Sequence, residues 1–126
     1  MKLIIFILFL LIPNLAHAGC DDQPSNEVDW TNCNFVENLD LIGVGMANAK
    51  MSGVNLSLSN FENANLAKVN FAVANLFTSS FKGANLYEAN LLGANISGAI
   101  FDEANLSSAV WVDGKKCALG SIGVCN

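Results

Sequence analysis

Between residues 39 and 113 a large apolar side chain returns at every fifth position. Leu41, Met46, Met51, Leu56, Phe61, Leu66, Phe71, Leu76, Phe81, Leu86, Leu91, Ile96, Phe101, Leu106 and Trp111 keep this phase through fifteen quintets without a slip. Two positions before each stands a small residue, usually Ala, and between the two usually Asn. A helix repeats its apolar positions at about 3.6 residues and a strand at about 2, so a period of five fits neither. The central residue i and residue i−2 can share one face of a short extended segment, provided the chain then turns a corner. A quintet is too small to bury that face alone. Successive turns bury it by stacking, and the pattern therefore predicts a solenoid.

Written out, the stretch from Val54 runs VNLSL, SNFEN, ANLAK, VNFAV, ANLFT, SSFKG, ANLYE, ANLLG, ANISG, AIFDE, ANLSS. This tandem A(N/D)LXX pattern resembles the pentapeptide-repeat family, and the likeness covers about three fifths of the chain. The resemblance implies an all-β fold, a right-handed quadrilateral β-helix of roughly four coils with four quintets in each. It also implies that i and i−2 point inward while i−1, i+1 and i+2 face water. Four quintets make twenty residues, and the sequence carries that longer period. Central residues twenty apart give Leu41, Phe61, Phe81 and Phe101 on wall 1, and Met46, Leu66, Leu86 and Leu106 on wall 2. Wall 3 holds Met51, Phe71, Leu91 and Trp111; wall 4 holds Leu56, Leu76 and Ile96. Wall 1 is set apart by its Phe column and by Ser59 and Ser79 at i−2, where wall 2 has Ala64, Ala84 and Ala104.

The segments outside the repeat divide the chain further. Met1-Lys2, the apolar run from Leu3 to Ile12, Pro13 and Ala16-His17-Ala18 read as a secretory signal over residues 1–18, with cleavage after Ala18. That apolar run is short for a membrane span. Gly19-Cys20 also resembles the end of a lipobox, although His17 stands where Leu is usual, and acylation of Cys20 would leave an odd number of cysteines. Residues 19–38 then form an N-terminal cap bounded by Cys20 and Cys33, and residues 114–126 a C-terminal cap bounded by Cys117 and Cys125. Four cysteines allow three pairings. The local one, Cys20–Cys33 with Cys117–Cys125, closes a loop at each end of the rod, and secretion favours disulfides over a metal site. Both caps resemble those of secreted bacterial members of the family, through Pro24, Val28-Asp29-Trp30 and Cys33 at the entrance. At the exit the matching residues are Trp111, Asp113-Gly114, Cys117, Gly120-Ser121-Ile122-Gly123 and Cys125. Trp30 and Trp111 are expected to lid the column. Asn38 is one residue too many between CNFVE and Leu39, which predicts a bulge or a loosened first corner.

Charge and chemistry narrow the function. After removal of residues 1–18, five Lys face eleven Asp and Glu, a net of −6. That balance argues against nucleic acid or an anionic membrane as partners. The only histidine, His17, leaves with the signal, which excludes Ser-His and Cys-His nucleophiles and imidazole metal sites. No cofactor or catalytic motif is expected. Among outward positions, Glu62, Lys82 and Asp102 align on wall 1, and Lys68 and Glu88 on wall 2, as expected cross-coil ion pairs. Ala72, Val73, Leu92 and Val112 on wall 3, with Leu58 and Phe77 on wall 4, form the candidate surface for a protein partner or for self-association. The expected function is thus a non-enzymatic, periplasmic or secreted structural or interaction module. The alternative comes from cytosolic relatives that resemble DNA in charge and shape and bind DNA gyrase; a secreted rod would not meet that enzyme.

Overall fold

A computed structural model of the chain describes residues 19–35 and 38–126. The predicted signal segment and the pair Val36–Glu37 lie outside the described residues. Every quintet turns its corner by the same local device. The carbonyl of residue i accepts the N–H of residue i+3, as in Ala64 to Phe61 at 3.0 Å and Ala84 to Phe81 at 2.9 Å. Residue i+2 takes a positive φ, 59° at Asn48, 58° at Lys68 and 56° at Glu88. A turn whose second central residue is left-handed reverses the chain sharply, and glycine adopts it at least cost. Gly83 occupies such a corner, and a Cβ there would press on Asn63 Oδ1 in the coil before.

The remaining amides run along the axis. Phe61 N–H donates to Ser80 O at 2.7 Å, and Ser80 N–H donates to Ser59 O at 3.0 Å. Asn63 N–H reaches Lys82 O at 2.9 Å. The same scheme gives parallel bridges at an offset of twenty from Asp40↔Asn60 to Asn90↔Val110. Each quintet contributes a single bridge residue, so the structure is a β-solenoid of one-residue rungs with four quintets in a coil.

One donor per quintet, the N–H of i+1, has no backbone acceptor among the described residues. Where residue i−1 is Asn, its side chain takes it: Glu62 N–H donates to Asn60 Oδ1 at 3.0 Å, Ala72 N–H to Asn70 Oδ1 at 3.0 Å, and Leu92 N–H to Asn90 Oδ1 at 3.1 Å. The recurrence of Asn follows from completing the donor count of the unit. Gly45 has no side chain for this task, and Asn26 supplies its Oδ1 to Ala47 N–H at 2.9 Å instead.

Residues i and i−2 line the interior. Phe61, Phe81 and Phe101 stack down wall 1 with ring centroids 5.0 and 5.1 Å apart. Phe71 packs edge-on to Phe61 and Phe81 at 6.0 and 5.9 Å, an arrangement that suits the ring quadrupoles. The two serines at i−2 of wall 1 are buried and bonded: Ser79 Oγ donates to Leu56 O at 2.8 Å, and Ser59 Oγ accepts Leu39 N–H at 3.3 Å. At the two ends, Trp30 packs on Phe35 at 4.7 Å and Trp111 on Phe101 at 5.3 Å. The buried indole N–H of Trp30 has no hydrogen-bond partner among the described residues.

The ends depart from the regular coil. Asp29 pairs with Lys50 and Asn34 with Asn55 at an offset of 21, whereas Asp40 pairs with Asn60 at twenty. One extra residue therefore lies between Phe35 and Asp40, and the parallel ladder begins at Asp29, inside the stretch that the sequence assigns to the cap. At the other end the chain reverses: Val110↔Lys116 and Asn105↔Ile122 are antiparallel bridges over walls 3 and 2. Disulfides join Cys20 to Cys33 and Cys117 to Cys125, with Cα separations of 5.6 and 4.9 Å.

The ion-pair expectation holds on wall 2 and fails on wall 1. Lys68 Nζ lies 3.7 Å from Glu88 Oε2. Among the described residues, Lys82 pairs with neither Glu62 nor Asp102. Glu62 Oε1 accepts the Ser80 hydroxyl at 3.2 Å instead. Exposed pairs gain so little, about 0–1 kcal/mol, that a neighbouring hydroxyl suffices to divert one partner. A second pair joins Lys50 and Asp29 at 3.9 Å. The Asp29 carboxyl sits below the usual carboxylate range because the Thr31 hydroxyl and amide bond to it; partial burial opposes this and Lys50 adds to it.

Candidate interaction surface

Wall 4 and its two corners carry the six apolar residues singled out in the sequence. Along the middle of this wall the i−1 side chains form an amide ladder. Asn55 Nδ2 donates to Asn34 Oδ1 at 2.7 Å, Asn75 Nδ2 to Asn55 Oδ1 at 2.9 Å, and Asn95 Nδ2 to Asn75 Oδ1 at 3.3 Å. The Oδ1 atoms of Asn55, Asn75 and Asn95 also accept the amides of Ser57, Phe77 and Ser97, at 3.3, 3.2 and 3.2 Å. Amides held at both ends make a flat polar strip with little freedom to reorient.

The corners flank that strip. On the side shared with wall 3, Val73 N–H donates to Leu92 O and Gly93 N–H to Val112 O, which stacks these residues coil on coil. Val73 is 65% exposed and Leu92 47%, while Ala72 and Val112 are half-buried. On the side shared with wall 1, Leu58 N–H donates to Phe77 O at 2.8 Å, and the two side chains are 50% and 47% exposed. The structure thus gathers the six into two groups, Ala72, Val73, Leu92 and Val112 on one corner and Leu58 and Phe77 on the other, with the amide ladder between them.

Two further properties mark this wall. No residue from Met51 to Phe61, from Val69 to Phe81, or from Ala89 to Phe101 is charged, so the wall and both corners are free of charge over three successive coils. Its left-handed corner positions also include β-branched side chains, Val73 at φ 53° and Thr78 at φ 56°, beside Leu58 at 62°. Non-glycine residues in this region cost about 1–3 kcal/mol each, and such strain collects where a surface does something other than hold the fold together. Elsewhere these corners carry Asn, Gly, Lys, Glu or Ser.

Sequence reasoning missed a second apolar group, at the C-terminal end. Leu119 is 80% exposed, Val124 57%, Ile122 53% and Ile100 48%. Ile100 had a readable signal, since it breaks a column that has Asn60 and Ser80 in the coils before. Leu119, Ile122 and Val124 follow the repeat, where no phase assigns a side chain to one face. Among the described residues no three of His, Cys, Asp and Glu gather as a metal-binding group.

Comparison with known proteins agrees with the coil. The family model described as pentapeptide repeats matches residues 40–76, 55–91 and 79–110, in 8 copies. The chain therefore belongs to the pentapeptide-repeat family, and its solenoid is a right-handed β-helix. Among solved structures it is similar to a pentapeptide repeat protein, Rfr23, from the cyanobacterium Cyanothece 51142, with 38% identity and a TM-score of 0.55. That match covers 56% of this chain and 48% of the other, so the chain spans about half the length of that relative. A pentapeptide repeat protein from the Arabidopsis thaliana thylakoid lumen is 22% identical over 64% of this chain and 70% of the other, at a TM-score of 0.43. No curated protein matches the chain. The two disulfides suggest an oxidising, extracytoplasmic location.

Proposed function

We propose that this chain is a secreted or periplasmic, non-enzymatic rod of square section that presents wall 4 to a protein partner. Residues 1–18 would act as the signal, removed after Ala18, and the two disulfides would clamp the ends once the chain reaches an oxidising compartment. The single observation that carries the docking role is the charge-free wall bounded by exposed Leu58, Phe77, Val73 and Leu92. A rigid strip of paired amides between two apolar edges offers shape and hydrogen-bond complementarity with little side-chain entropy to lose on binding. The rest of the outward chemistry is spent on register: amide ladders, one cross-coil pair on wall 2, and corner glycines. The residues suit recognition better than bond-making, since the mature chain lacks histidine and its cysteines are paired.

The test is capture from a periplasmic extract or culture medium with the tagged mature protein, against Phe77→Glu and Leu92→Glu. Both variants are expected to lose the captured partner while keeping the circular dichroism spectrum and the thermal transition. Capture that survives both substitutions would remove wall 4 as the docking face.

A further inference from the structure

The C-terminal end of the rod is half covered, and the uncovered half has the form of the cover. The returning segment lies over walls 2 and 3, where Leu106 N–H donates to Ser121 O at 2.8 Å and Trp111 N–H to Lys115 O at 2.7 Å. Gly123 N–H and Cys117 N–H return bonds to Ala104 O and Ala109 O. Among the described residues, walls 4 and 1 of the same coil have no such cover. In the coil before, Leu76, Thr78, Phe81 and Gly83 each donate to the next coil; their counterparts Ile96, Gly98, Phe101 and Glu103 have no backbone acceptor among the described residues. The carbonyls of Ala94 and Ala99, counterparts of the paired Ala74 and Ser79, are likewise without donors. A row of N–H and C=O groups at coil spacing asks for one kind of occupant, the edge of an extended backbone.

The cover supplies such an edge on its far side. Alternate residues of an extended segment direct their backbone groups to opposite sides. Those of Lys116 and Ile122 make no hydrogen bond to their own coil, while Lys115, Cys117, Ser121 and Gly123 do. We infer that two copies of this chain join end to end about a two-fold axis, the returning segment of each completing walls 4 and 1 of the other. The axis runs perpendicular to the rod, through the corner between walls 3 and 4 and the corner between walls 1 and 2. It exchanges wall 3 with wall 4 and wall 1 with wall 2.

Under that operation the partner's Ile122 lies over Ile100 and the partner's Lys116 over Asn95, in the same order along the wall. The segment is antiparallel to its own coil, and the two-fold turns it parallel to the coil it meets. Phe101 N–H then donates to the carbonyl of the partner's Ile122, whose own N–H donates to Ala99 O. Ser80 and Ile100 bridge by this scheme within one chain. The partner's Lys116 repeats it with Ile96 N–H and Ala94 O. The side chains agree with the backbone, since exposed Ile100 and Ile122 become neighbours across the interface. The contact is closed and self-complementary, so it stops at two copies.

The test is sedimentation equilibrium of the mature, oxidised protein over a hundredfold concentration range, with Ile100→Glu and Ile122→Glu as separate variants. A dimer is expected for the parent and a monomer for each variant, with unchanged circular dichroism, since both side chains are exposed and a buried unpaired charge opposes association. Amide exchange gives a readout independent of the variants. Protection at Ile96 and Phe101 should rise with protein concentration, while that of Leu76 and Phe81 stays constant. A parent that is monomeric throughout the range overturns the inference. So does a dimer that survives both changes, or one that is lost on Phe77→Glu instead.

Discussion

Walls 2 and 4 share one backbone and differ in what they show to water. Both carry an Asn ladder, Asn65–Asn85–Asn105 on one and Asn34–Asn55–Asn75–Asn95 on the other. Both bury their central side chains, with Leu66, Leu86 and Leu106 matched by Leu56 and Leu76. At the corners they part. The corner after wall 2 has Lys68 and Glu88 in a cross-coil pair, and the corner after wall 4 has the exposed apolar side chains of Leu58 and Phe77. In this fold the apolar interior is common to all walls, and walls 2 and 4 share the ladder as well. Positions i+1 and i+2 are where one wall becomes different from another.

The strongest way to break the comparison is to remove what both walls share. Phe81→Ala deletes the middle ring of the stack and is expected to cost about 3–5 kcal/mol in chemical denaturation, because the coils above and below limit collapse into the space. A near-neutral result would mean that the rings do not support the coil. Next in size is the C-terminal clamp. The Cys117–Cys125 pair closes a short loop, at a sequence separation of 8, and Cys117→Ser with Cys125→Ser is expected to lower stability by about 2.5 kcal/mol. The loss should show first as amide exchange at Leu106 and Trp111, which donate to the segment that the disulfide holds.

A smaller change sharpens the difference between the walls. Val73→Asn keeps the left-handed corner but removes the β-branch, and should raise stability by about 1 kcal/mol. If wall 4 docks a partner, that gain in melting temperature comes with weaker capture, whereas a corner substitution at Lys68 should leave capture unchanged. The smallest effect concerns acid. Asp29 has a depressed pKa in the folded chain, held mainly by Thr31, so its contribution is present above the unfolded carboxylate value, about 3.9. That contribution is lost as pH falls through the lower folded value. Asp29→Asn should therefore flatten the stability profile below about pH 4 and leave the rest of the curve unaltered. An identical acid limb in the two proteins would show that Thr31 and Lys50 do not act through this carboxylate.

The fold was legible because burial repeats. Leu41 through Trp111 announce the period of five, and the Phe column with Ser59 and Ser79 announces the period of twenty. Even the extra residue before Leu39 could be counted, and the bridge offset of 21 marks the same place. The corners were less legible. A left-handed φ at Val73, Thr78 or Leu58 contradicts the local preference of those residues, and the stacked coils impose it. The role of Asn at i−1 pointed to backbone bonding in general terms. The particular donor, the amide of i+1, emerges only when every N–H of the quintet has been assigned. Glu62 and Lys82 misled because alignment at twenty says which side chains are neighbours, not which of them prefers a nearby hydroxyl. The returning segment was opaque for a different reason: Leu119, Ile122 and Val124 have no periodic neighbours, and only the antiparallel bridges set the segment over walls 2 and 3.

The twenty-residue offset also sets what lengths this rod can take. Inserting one quintet keeps every side chain on its proper side of the sheet, yet it turns everything downstream by a quarter revolution, so the amide ladders break and the two caps no longer share an azimuth. Inserting four quintets restores all of it and lengthens the rod by one layer, about 4.8 Å. Duplication in whole coils is thus nearly free of structural penalty, while growth by single quintets would swing any docking face to a new compass bearing.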